Sequence, residues 1–170
     1  MDLHATSIGV KENPAVIFAH GLLGSARNLT KVASEVAKAG FFVVLFDQRG
    51  HGHSPWAQDP AKEYSLISLA RDYVSVLDHF NISKAHFVGH SMGCQAIARY
   101  LETLPEGVQV GGAVFVAGFF KYLTLEDDPD VQETDRHWLE TPIDLEKVHS
   151  HLPSSVAIFS DNDPWVPLDN

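Results

Sequence analysis

The chain of 170 residues has a single cysteine, Cys94. That excludes an internal disulfide and fits a reducing compartment. Basic residues are scarce as well. Twelve Lys and Arg stand against 22 Asp and Glu, for a formal net charge of -10. The deficit argues against nucleic acid and against an anionic membrane as partners, because both select Lys/Arg surfaces. No apolar run approaches the length of a membrane span. The opening stretch, MDLHATSIGV, lacks the basic and apolar regions of a secretory signal, so a cytoplasmic protein is expected. There is no internal repeat and no low-complexity tract. What remains is an ordinary globular balance, 45% apolar and 20% charged, with enough length for one domain over 1–170 and a real core.

Five short apolar runs recur along the chain: AVIFAH (15–20), FFVVLF (41–46), AHFVGH (85–90), GAVFVAG (112–118) and SVAIFS (155–160). Each is rich in β-branched or aromatic residues and continuous rather than alternating. Such runs suit strands buried on both faces. Helical spacing fills the gaps. Leu29, Val32, Ala33 and Val36 share a face, and Gly40 is placed to end that helix. Leu66, Leu69, Ala70, Tyr73, Leu77 and Phe80 mark a second, with Ser65 as N-cap and Asn81 near its end. Ile97, Tyr100, Leu101 and Leu104 mark a third, closed by Pro105. Alternating strands and helices predict an α/β fold with a doubly wound, mostly parallel sheet. Five main strands are expected in the order 2-1-3-4-5, flavodoxin-like in topology, with a weak edge strand before Asn13. No Gly-rich phosphate loop follows the first strand, and no cofactor is expected. The acidic stretch 119–153 breaks the alternation. Two readings stand for it: a solvated loop with a helix from about Leu145 to His151, or a small lid over a site at the strand ends.

The chemistry concentrates after three of these strands. AHFVGH runs into Gly89-His90-Ser91-Met92-Gly93 and then a helical pattern. This is G-x-S-x-G between strand and helix. A tight turn there lifts the serine hydroxyl above the sheet, Gly89 and Gly93 remove Cβ atoms where strand and helix crowd, and the helix N-terminus offers N–H groups to an oxyanion. His20-Gly21-Leu22-Leu23-Gly24-Ser25 ends the first strong strand, on the edge where open α/β sheets bind ligands. The N–H groups of Leu22 and Met92 are placed to form the two halves of an oxyanion hole; a plain glycine-rich turn is the other reading. Asp47-Gln48-Arg49-Gly50-His51-Gly52-His53-Ser54 follows the second strand. A structural role is expected for it, with Asp47 and Arg49 fixing the loop. The H-x-H pairs His51/His53 and His149/His151 lack a cysteine or carboxylate at ligand spacing, which argues against a metal. Cys94, small and in the first turn of a packed helix, reads as buried filler.

Taken in order, HGLLGS, DQRGHGHS and GHSMG resemble the oxyanion loop, the following strand's loop and the nucleophile elbow of the α/β-hydrolase superfamily. SDNDPWVP, residues 160–167, is similar to its acid loop. The resemblance covers nearly the whole chain. It implies Ser91 as nucleophile, Asp163 as acid with Asp161 as the nearby competitor, and His20 and Gly21 as structural parts of the oxyanion loop. It also implies a small-molecule carboxylic ester, thioester or amide as substrate. The part up to Ser91 looks like the general esterase and peptidase branch. From Gly93 onward the chain looks like the smaller branch of serine hydrolases related to retinoblastoma-binding protein. Two origins fit, a natural intermediate or an engineered chimera joined near the elbow.

One departure matters. The family order is Ser, acid, His, yet none of the ten histidines follows Asp163. The resemblance thus implies a chain lacking the final strand, the histidine loop and the last helix, with little or no turnover. His137 is the least unsuitable substitute base. A non-catalytic α/β scaffold is the alternative. Without a covering strand, SVAIFS becomes an apolar sheet edge open to pairing with a second copy.

Overall fold

A computed structural model describes residues 3–120, 141–163 and 166. Six strands form one sheet: β1 (Ala5–Ile8), β2 (Ala15–Ala19), β3 (Phe42–Phe46), β4 (Ala85–His90), β5 (Gly112–Val116) and β6 (Ser155–Ile158). The helices among the described residues are α1 (Ala26–Lys38), α2 (Pro60–Glu63), α3 (Leu66–Phe80), α4 (Met92–Glu102) and α5 (Leu145–His151). The sheet order is β1-β3-β2-β4-β5-β6. Every pair is parallel except β1 with β3. The sheet has a sixth strand beyond the five main ones expected: β1, the weak edge strand expected before Asn13, lies outside β3. Periodicity is a weak guide to β1, because its four residues are only half-buried or exposed. Its hold is backbone pairing, from Ala5 opposite Phe46 to Ile8 opposite Val43.

The continuous apolar runs build two cores, one on each face. Alternate residues point to opposite sides. Ile17, Ala19, Val44, Phe46 and Phe87 join the larger core with α3, α4 and α5. Val16, Phe18, Val43 and Leu45 join the smaller one with Ala26 and Ala33 of α1. Tyr73 anchors the larger core, 5.3 Å edge-on to Phe46 and 5.4 Å stacked on Tyr100 between ring centroids. Each fully buried aromatic of this kind stabilises the fold by roughly 1.5–3 kcal/mol.

The helix ends obey local chemistry. Ser65 Oγ accepts the N–H of Ser68 at 3.3 Å, and Asn81 takes the left-handed conformation at the far end of α3. All four residues of β6 are exposed, against the burial on both faces expected from its apolar run. Among the described residues it pairs with β5 alone, at the edge position also expected for SVAIFS. Within 119–153, α5 forms where a helix was expected. The acidic run and His137 lie outside the described residues, and so does any lid they form. No helix among the described residues is long and apolar enough to cross a membrane.

Candidate active site

Parallel strands place their C-terminal ends on one edge, where the loops after β2, β3 and β4 meet and the segment after β6 also emerges. Ser91 sits between β4 and α4 with φ +53° and ψ -123°. A serine in this region is strained. The surroundings hold it: Ser91 N–H donates to Val116 O at 2.9 Å, and Cys94 N–H donates to Ser91 O at 2.9 Å. The flanking glycines answer to crowding. A Cβ on Gly89 would lie 2.8 Å from the Cys94 backbone, and one on Gly93 would overlap the carbonyl of Ala19 and sit 2.8 Å from His20 O. Cys94 is fully buried, with its thiol pushed up to about 12 by burial, so it has no thiolate for chemistry near neutral pH.

The loop after β2 packs directly against the elbow. A Cβ on Gly21 would lie 3.1 Å from Ser91 Cβ and 3.2 Å from His90 Nδ1. His20, 1% exposed, fixes this loop. Its Nε2 accepts the N–H of Gln48 at 3.0 Å, so the proton resides on Nδ1 and is donated to Gly21 O at 2.8 Å. Burial lowers the His20 pKa, which suits that neutral tautomer. Gln48 Nε2 donates in return to His20 O at 2.7 Å. Gly21 O also accepts from Gly24 N–H at 3.1 Å. In a trans peptide the carbonyl and the next N–H point in opposite directions. Fixing Gly21 O therefore turns the Leu22 N–H the other way, and among the described residues that N–H meets no backbone acceptor. Met92 N–H, in the first turn of α4, is likewise without one.

Asp47 and Arg49 are buried at the end of β3. Asp47 Oδ1 accepts from Ala26 N–H at 2.7 Å and Oδ2 from His53 N–H at 2.9 Å. Burial alone would raise its pKa, but these two N–H donors, with His20 and His4 nearby, bring it below the ordinary value. Arg49 grips Asp72 of α3 with two bonds, Nε to Oδ2 at 2.6 Å and Nη2 to Oδ1 at 2.5 Å. It also donates to the carbonyls of Glu63 and Ser68. Burial raises the Asp72 pKa, and Arg49 opposes that in part. Sequence reasoning missed Gln48 and Asp72. Asp72 carried a signal: a carboxylate set between Leu69, Ala70 and Tyr73 on an apolar helix face.

A cavity of about 320 Å³ opens between these loops. Leu22, Leu23, Trp56, Tyr64, Leu69 and Met92 give it an apolar wall that includes both residues whose N–H groups meet no backbone acceptor among the described residues. Asp163 follows β6 on the same sheet edge, where its Oδ1 accepts from Val166 N–H at 3.2 Å. Asp161 is exposed. His90 is exposed beside Ser91, and among the described residues no histidine hydrogen-bonds to Ser91 Oγ.

Known proteins agree with this architecture. Esterase YbfF of Escherichia coli K12 is 39% identical over 85 residues, which make up 50% of this chain and 32% of that protein. The 3-oxoadipate enol-lactonase 1 of Acinetobacter baylyi is 36% identical over 85 residues, 50% of this chain and 30% of that one. The chain spans less than half the length of the curated relatives it matches. The crystal structure of a hydrolase from Pseudomonas aeruginosa PA01 superposes with a TM-score of 0.71 at 15% identity, over 98% of this chain and 79% of that one. A family model for the alpha/beta hydrolase fold matches residues 14–145, spanning the loops after β2 and β3 and the turn between β4 and α4. By that match and by its sheet, the chain belongs to the α/β-hydrolase fold family.

Proposed function

We propose that the chain is built for acyl transfer to Ser91, from a carboxylic ester, thioester or amide, through an acyl-enzyme. The observation that carries this reading is the strained serine between β4 and α4, with Gly21 packed against it. The Leu22 and Met92 N–H groups serve as the oxyanion donors, since neither meets a backbone acceptor among the described residues. The cavity beside them takes the apolar part of the substrate. The relatives' names support the ester class: an esterase cleaves an open ester and a lactonase a cyclic one. A serine also differs from the carboxylate nucleophiles that some hydrolases use.

Asp163 serves as the acid of a Ser-His-acid set. β4 and β6 are separated by β5, so their ends lie two strand spacings apart, about 10 Å. A carboxylate across that gap acts on the serine only through an intervening imidazole. No histidine follows Asp163 in the 170 residues. A polypeptide of these 170 residues alone is therefore expected to turn over simple esters slowly or not at all.

A fluorophosphonate probe tests the reading. Covalent labelling at Ser91 of the chain extended by a histidine-bearing segment, lost in Ser91→Ala, supports it, and absence of labelling from that extended, folded chain rejects it in favour of a scaffold. Asp163→Asn is expected to leave the residual rate on p-nitrophenyl acetate nearly unchanged. A histidine-bearing segment added after residue 170 is expected to raise that rate by roughly 10²–10⁴-fold.

A further inference from the structure

The loop after β3 carries a second cluster, apart from the residues that line the cavity. His4, Asp47 and His53 each offer one ligand atom, and these atoms lie within 4.8 Å of one another. The His4 and His53 ring centroids are 4.9 Å apart. His53 pairs with a histidine far upstream rather than with its neighbour His51, whose Nδ1 is 3.1 Å from Arg49 O. The chain fold thus supplies the carboxylate that the H-x-H spacing lacked.

The cluster is organised by its backbone. Asp47 N–H donates to His4 O at 2.9 Å, His4 N–H donates to Ser54 Oγ at 2.9 Å, and Ser54 O–H donates to Asp47 O at 2.5 Å. Three segments are therefore joined before any ligand arrives. The Asp47 carboxylate is buried and held by two N–H donors. A carboxylate oxygen has two lone pairs, so Oδ2 retains one after accepting from His53 N–H. His53 Nδ1 lies 3.6 Å from that oxygen. A charge-assisted hydrogen bond would be shorter, about 2.7–2.9 Å. Two ligand atoms sharing a tetrahedral cation at about 2.0–2.1 Å each sit roughly 3.4 Å apart. The observed spacing is closer to the second case. Both imidazoles are exposed, which leaves an entry path and room for water to complete the coordination.

We propose that His4, Asp47 and His53 form a surface site for a late first-row divalent cation of the Zn²⁺ type, which two imidazoles and one carboxylate suit. The ion would clip the segment leading into β1 to the loop after β3. It has no part in the chemistry at Ser91, and it stands whether or not Ser91 is a nucleophile.

Calorimetric titration of the metal-free 170-residue chain with ZnCl₂ tests the site. One saturable equivalent is expected, with a rise in melting temperature. His4→Ala and His53→Ala should each weaken binding by more than about tenfold, since loss of even an outer-shell partner commonly costs that much. His149→Ala, at an exposed histidine elsewhere, should bind as the parent does. Co²⁺ should give d–d absorption bands in the parent and lose them in the two variants. The proposal is overturned by absence of saturable binding, or by binding that survives unchanged in both His4→Ala and His53→Ala. Neither substitution removes a backbone group from these contacts, and circular dichroism is the check that each variant folds.

Discussion

Asp47 is 2% exposed and holds two backbone N–H groups, one at the start of α1 and one in the loop that closes over it. Its pKa is depressed below the ordinary 3.8. A depressed folded pKa contributes stability that is present above the unfolded value and is lost as pH falls through the folded one. Asp47→Asn replaces one acceptor oxygen with a donor, so a backbone N–H loses its partner. The variant is expected to be less stable by about 1–3 kcal/mol at pH 7. Urea unfolding across pH checks the sign: the gap to the parent should be widest at neutral pH and should narrow below 3.8. The loop motif made Asp47 legible in the sequence, since an acid followed by closely spaced glycines marks a fixed turn. Its reason is visible only in space. A Cβ on Gly52, at φ +53°, would collide with the Asp47 carboxylate.

At the scale of elements, the decisive contact joins the loop after β3 to α3. Arg49 and Asp72 are 23 positions apart and both buried. Removing one partner strands a charge away from water, which commonly costs about 3–5 kcal/mol. Asp72→Ala should therefore lower stability by that order in urea, whereas the joint replacement Arg49→Met with Asp72→Leu should recover much of the loss. If Asp72→Ala unfolds like the parent, the pair carries no such strain. Arg49 was legible as a loop-fixing residue, but no local pattern names its partner, because the pairing depends on how α3 lies across the sheet. Boundaries governed by local chemistry were easier. Ser65 and Asn81 frame α3 as their side chains and backbone preferences demand. The four-residue α2 was not foreseen, although Pro60 at its first position is a start signal. The end of the 119–153 stretch returns by a tertiary contact: Arg99 Nη1 of α4 donates to Pro142 O at 3.0 Å, and Glu102 accepts the N–H of Asp144 at 2.6 Å.

At the scale of the molecule, apolar runs announced the parallel strands, yet burial did not follow from them equally. AVIFA and FVVLF are buried throughout. SVAI, of similar composition, is exposed throughout. A sequence run reports what a strand can bury, and sheet order decides what it does bury. β6 presents Val156 at 56% and Ile158 at 51% exposure, with Phe159 beside them, along an edge whose only neighbour in the described sheet is β5. Unpaired N–H and C=O groups beside apolar side chains are a template for another strand. A second copy of this chain is therefore expected to pair along β6. Light scattering on the 170-residue protein should show a dimer growing with concentration. Ile158→Lys places a charge on the edge and should return the protein to monomer while leaving fluorophosphonate labelling at Ser91 as it is in the parent. A parent chain that stays monomeric at high concentration rules out pairing through this edge.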